Sequence, residues 1–102
     1  MILKAVTAAE ARRLAAQGAL LVDIREPGEY LGENIPGALN APLSRLGETP
    51  VGAAAAVVFY CKSGARTRMN AEALAASTDA EAYILDGGIE AWKAAGYPVS
   101  PG

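Results

Sequence analysis

Val57-Val58-Phe59-Tyr60-Cys61-Lys62-Ser63-Gly64-Ala65-Arg66-Thr67-Arg68 is the stretch on which the fold class turns. Its first four residues are β-branched or aromatic and read as a buried strand, which stops at the only cysteine in the sequence. A short polar turn follows, and Thr67 to Ala76 then reads as a helix with Met69, Ala73 and Ala76 on its inward face. Cys61 therefore falls at a strand-to-helix junction. The first amides of a helix lack partners within it, and its dipole puts partial positive charge there, so the junction favours anions. Lys62 and Arg66 add formal charge, and Gly64 permits backbone angles that turn neighbouring N–H groups inward together. Such a turn suits both a thiolate, the nucleophilic form of cysteine, and an anionic substrate. The alternative for Cys61 is a core residue, but a structural cysteine needs no cationic, glycine-containing loop after it.

Outward from this stretch, apolar runs alternate with helical patterns. Met1 to Val6 reads as an edge strand, and Thr7-Ala8-Ala9-Glu10 has the spacing of a capping box that opens a helix ended by Gly18. Ala19 to Ile24 is apolar but for Asp23, as a central strand covered on both faces would be, and it delivers Arg25 to the carboxyl edge of the sheet. Ligands of open α/β sheets bind along that edge, which makes Asp23 and Arg25 candidate supporting residues for Cys61. The competing reading is an ion-pair network that fixes a loop over Glu26 to Tyr30. Glu33 to Pro42 reads as a connection with a short strand around Ala38 to Asn40, Ser44 as the cap of a brief helix through Leu46, and Gly47 to Gly52 as a loop. Ala82 to Leu85 reads as another strand. Asp86-Gly87-Gly88 is the turn into a last helix that carries Ile89 and Trp92 inward, Trp92 serving the core or walling a pocket. Residues 96–102 read as a C-terminal tail. The pattern predicts an α/β fold: a mostly parallel sheet of about five strands with helices on both faces, in one domain over 1–102.

Bulk properties narrow the function. The chain has 102 residues, about half of them apolar, and a formal net charge of -2, which fits a folded single domain. Nine basic residues against eleven acidic ones form no patch that suggests nucleic acid or an anionic membrane. The longest apolar stretch, Ala53 to Cys61, is too short to span a bilayer, and no signal peptide opens the sequence. A cytoplasmic setting is expected. One cysteine allows no internal disulfide, and the absence of histidine argues against a metal site or a histidine-assisted nucleophile; no cofactor is expected.

Four blocks resemble a single rhodanese domain in order and spacing: Asp23 to Tyr30, Ile35-Pro36-Gly37-Ala38, Cys61-Lys62-Ser63-Gly64-Ala65-Arg66, and Leu85 to Trp92 with Gly96-Tyr97-Pro98-Val99. The likeness is to small bacterial sulfurtransferases, including a type whose rhodanese portion is followed by hydrophobic helices. By that resemblance, Cys61 takes a sulfane sulfur from thiosulfate or a similar anionic donor, carries it as a persulfide and passes it to cyanide or a thiol. Lys62, Ser63, Gly64, Ala65, Arg66 and Thr67 form the binding loop. A sulfur-relay protein is a possible partner, and the cytoplasmic domain of a membrane-anchored parent is a possible setting. The family commonly has histidine where Asn34 stands, and this position looks more like a loop organiser than a catalyst.

Rival functions use the same loop. A cysteine-dependent phosphatase places five residues between cysteine and arginine, whereas four separate Cys61 from Arg66, and the loop contains no carboxylate to act as general acid. Arsenate reduction has less support without further cysteines. A non-enzymatic sulfur-relay or regulatory module would keep the same residues and is not separated from an enzyme by sequence.

Overall fold

The computed structural model describes residues 3–48 and 54–101. Five strands form one sheet: β1 (Lys4–Val6), β2 (Leu20–Asp23), β3 (Leu39–Asn40), β4 (Ala56–Tyr60) and β5 (Glu81–Leu85). Every pairing is parallel and the spatial order is β1-β5-β4-β2-β3, which puts β4 in the centre. Asp23 of β2 lies opposite Tyr60, and Phe59 lies opposite Ile84 of β5. The expected parallel five-stranded α/β sheet is thus the one observed.

Strand alternation divides the core into two layers. Val58 and Tyr60 face α1 (Ala8–Ala16) and α5 (Gly88–Ala94), joining Ala8, Ala11, Leu85, Ile89 and Trp92. Val57, Phe59 and Cys61 face the other way, toward Leu74 of α4 (Ala71–Ala76), together with Val22, Ile24 and Ile84. Both faces of β4 are therefore dry, which explains its unbroken apolar sequence. Burying one such large apolar side chain contributes roughly 1.5–3 kcal/mol.

The local signals act as their chemistry dictates at the first helix. The Glu10 amide donates to Thr7 Oγ1 at 3.1 Å, and the Thr7 amide donates to the Glu10 carboxylate at 3.0 Å. Elsewhere the structure departs from expectation. The segment after Arg25 is helical, α2 (Pro27–Gly32), because Pro27 is suited to a first helical turn and the Glu29 carboxylate accepts the Glu26 amide at 3.3 Å. Ser44 caps nothing: it lies inside a 3-10 turn, Leu43–Arg45, and donates to the Glu26 carboxylate at 2.7 Å. The helix after the cysteine loop is two helices, α3 (Ala65–Met69) and α4, broken at Asn70. Asn70 leaves helical geometry (φ -117°, ψ 20°) while its side chain donates to the Arg66 carbonyl at 2.8 Å, and the break resets the inward face. Leu74 is buried as a result, whereas Met69 is 83% exposed and Ala73 and Ala76 are also exposed.

The C-terminal segment is tied down as well. Asn34 and Ser100 exchange two backbone hydrogen bonds of 2.8 Å, Trp92 Nε1 donates to the Pro98 carbonyl at 2.8 Å, and Tyr97 meets Trp92 edge-on. Through Ser100 it does not behave as a free tail. Of the predicted loop Gly47 to Gly52, positions 49–52 lie outside the described residues, as do the first two residues of the predicted first strand.

Candidate active site

Cys61 follows the central strand, so the sheet delivers it to the middle of the carboxyl edge. Three connections then fix the loop it opens. The Gly64 amide donates to Cys61 Sγ at 3.1 Å, and the Thr67 hydroxyl, buried, donates to the Gly64 carbonyl at 2.9 Å while standing 3.9 Å from Sγ. The third comes from α5, whose amides at Ile89 and Glu90 donate to the carbonyls of Cys61 at 2.9 Å and Lys62 at 3.1 Å. The unpaired N–H groups at the start of α5 are in this way satisfied by the loop's own oxygens.

With those carbonyls drawn toward α5, the loop amides are left unpaired. Among the described residues, the amides of Lys62, Ser63, Ala65, Arg66 and Thr67 meet no acceptor, and the Gly64 amide meets only sulfur. Two glycines make the shape possible. Gly64 has φ +95°, and a Cβ there would lie 3.1 Å from the Gly87 amide nitrogen. Gly88 has φ +59°, and its Cβ would fall 2.5 Å from the carbonyl oxygens of both Cys61 and Lys62.

The loop residues are not equivalent. Cys61 is 1% exposed, Gly64 and Thr67 are buried, Arg66 is partly exposed, and Lys62, Ser63 and Ala65 face solvent. Arg66 makes a two-pronged ion pair with Glu29 of α2, Nη1 to Oε1 at 2.8 Å and Nη2 to Oε2 at 2.9 Å. That hydrogen bonding from Arg66, opposed by partial burial, holds the Glu29 carboxyl down at about 2. Glu29 raises the Arg66 guanidinium in turn, with Cys61 a smaller contributor in the same direction. Sequence reasoning missed Glu29. Its position at the start of a helix was the available signal, but its partner is 37 residues away in the chain.

Asp23 and Arg25 form a buried pair, with the arginine Nε 3.0 Å and 3.1 Å from the two carboxylate oxygens and Nη2 2.6 Å from Oδ2. Arg25 Nη2 also donates to the Glu33 carbonyl at 2.5 Å, just past the end of α2. Neither residue bonds to the cysteine loop. Asp23 lies opposite Tyr60, on the sheet face away from the Cys61 side chain. Asn34, also buried, donates to the Tyr30 carbonyl at 3.0 Å and organises the same connection. Among the described residues no cluster of histidine, cysteine or carboxylate could hold a metal, and no helix is long and apolar enough to cross a membrane.

The family model of the rhodanese-like domain matches residues 7–95, from the first helix through the last. The chain belongs to the rhodanese-like domain family. A sulfurtransferase of Allochromatium vinosum is 39% identical over 93 residues, covering 86% of this rhodanese-like chain and 85% of its own. The Synechocystis protein slr1261 is 44% identical over 82 residues, which cover 78% of this chain but 45% of that protein. The crystal structure of a thiosulfate sulfurtransferase from Pseudomonas aeruginosa superposes with a TM-score of 0.87 at 26% identity, over 98% of this chain and 20% of that one. The rhodanese-like chain thus spans nearly all of one such relative and under half of the other two.

Proposed function

We propose that the chain acts as one rhodanese-like domain that transfers sulfane sulfur from thiosulfate, or a related anionic donor, through a persulfide on Cys61 to cyanide or a thiol. The observation that carries this reading is the Gly64 amide on Cys61 Sγ within a loop of otherwise unpaired amides. Family membership and the sulfurtransferase relatives support it. The Cys61 thiolate attacks the outer sulfur of thiosulfate. A new S–S bond forms, the bond to the sulfonate sulfur breaks, and its electron pair leaves with sulfite. The terminal sulfur of the persulfide then carries the negative charge, and amides preorganised around it stabilise that charge as they would an oxyanion. Cyanide or a thiolate attacks the same terminal sulfur and returns Cys61 as thiolate. Since there is no second cysteine, sulfur leaves only to an external acceptor. Because Cys61 itself is 1% exposed, exchange requires the exposed Lys62 and Ser63 segment to admit donor and acceptor.

Intact-mass measurement tests the reading. Incubation with thiosulfate should add the mass of one sulfur atom, cyanide should remove it, and Cys61→Ser should show neither change while melting cooperatively. Sulfur transfer by the serine variant would sink the nucleophile assignment, and a folded parent that never gains sulfur would point to a docking module.

A further inference from the structure

Arg66 is held from one side only. A guanidinium has five N–H donors in one plane, and the end-on pair with Glu29 takes two of them, one on each terminal nitrogen. The other three meet no acceptor among the described residues, and no second side chain restrains the group. Glu29, by contrast, is well anchored. Its Oε1 also accepts the Glu26 amide, and the end of α2 is tied through the Glu33 carbonyl to Arg25, itself locked on buried Asp23. A rigid chain of contacts therefore runs from β2 through α2 to the one cation that both belongs to the loop and has a fixed direction.

We propose that Glu29 is a positioning residue for the anionic donor, fixing Arg66 so that the two N–H groups on its open Nε edge meet the donor's oxygens beside the Cys61 loop. The inference rests on the sulfur-transfer reading above and deepens it. Arg66 stands in the first turn of α3, five positions after Cys61, so its guanidinium is carried by the same loop that holds the reacting sulfur. The opposite role for Glu29 would be competition, with the carboxylate occupying Arg66 until an anion displaces it. Geometry favours positioning. The end-on fork leaves the Nε edge of the guanidinium open, so an anion can bind there without breaking the pair. Both side chains are 36% exposed, so solvent screens part of the repulsion between the Glu29 charge and an arriving anion.

The two roles predict opposite signs. Thiosulfate affinity would be measured by calorimetric titration in a Cys61→Ser background, where the donor binds but cannot react. Positioning predicts that Glu29→Gln weakens binding by about fivefold to tenfold, and that Arg66→Lys, which keeps the charge but loses the fork, weakens it about as much. With Arg66→Ala already present, Glu29→Gln should change affinity by less than about twofold, since Glu29 acts only through Arg66. In proteins with Cys61 intact, Glu29→Gln should raise KM while kcat stays within about twofold. Tighter binding in Glu29→Gln would establish competition and overturn the proposal. Equal losses with and without Arg66, unchanged affinity in Arg66→Lys, or no thiosulfate binding at all would overturn it too. Failure of sulfur transfer by the unmodified protein would sink the persulfide reading alone, because the binding series scores Glu29 without turnover.

Discussion

Replacing Gly88 with alanine adds one carbon atom at the point where α5 meets the cysteine loop. Two costs follow. At φ +59° a residue with a Cβ is in the left-handed region, which costs about 1–2 kcal/mol. That Cβ would also sit 2.5 Å from two carbonyl oxygens that are themselves bonded to α5, so neither can yield without breaking a hydrogen bond. Overpacking of this kind costs about 1–3 kcal/mol. The sum, about 2–5 kcal/mol, is a large fraction of the roughly 5–15 kcal/mol that stabilises a domain and lowers Tm by on the order of 15 °C. Thermal and urea denaturation followed by circular dichroism would measure it. Gly28→Ala serves as the control: nothing lies within 4 Å of the added carbon, φ is not positive, and a helical glycine replaced by alanine gains roughly 0.5–1 kcal/mol. Persulfide formation should fall in Gly88→Ala and persist in Gly28→Ala. A Gly88→Ala protein that melts within about 2 °C of its parent and still forms the persulfide would refute the account of the loop as a shape set by close backbone approach.

Two further outcomes are expected. The Glu29 carboxyl is depressed to about 2 by its bonds with Arg66, so the stability it contributes is complete above the unfolded value near 4.3 and is lost as pH falls through the folded one. Glu29→Gln should therefore lower stability by at most about 1 kcal/mol at neutral pH, given the exposure of the pair, with the difference closing between about pH 4 and pH 2 in acid titrations of urea midpoints. A difference that grows toward acid would show that another group dominates. Asn34→Ala removes the side-chain donor to the Tyr30 carbonyl and should cost about 1 kcal/mol, while thiosulfate turnover per folded molecule stays near the parent's. A large loss of turnover without loss of stability would give Asn34 a part in the chemistry.

The fold was legible where burial alone decided the sequence. Val57 to Tyr60 is dry on both faces, so the buried strand and the position of the cysteine at its end followed together, while its place in the centre of the sheet came from the structure. The capping box at Thr7 was equally readable, because it closes within four residues. What was not readable depends on partners distant in the chain. The break at Asn70 is the exception: it is local, an asparagine donating to the carbonyl four residues back, and alanine-rich spacing carries no information about it. The fastening of Ser100 to Asn34 is made entirely by backbone atoms, so side-chain identities gave no hint of it. Glu29 escaped for the same kind of reason: the segment Glu26 to Tyr30 reads as a loop fixed by ion pairs, and the partner that gives this acid its role is 37 residues away.

The clamp that α5 places on the cysteine loop is made of two N–H groups, at Ile89 and Glu90, and of empty space at Gly88. None of these requires a particular functional group. Solvent-facing position 90 can vary among all residues that keep an amide hydrogen and is closed only to proline, while position 88 is closed to anything with a side chain. This half of the site is therefore recorded in the sequence as prohibitions. A chain could keep every residue from Cys61 to Thr67 and still lose the loop's shape through one methyl group more than twenty positions away.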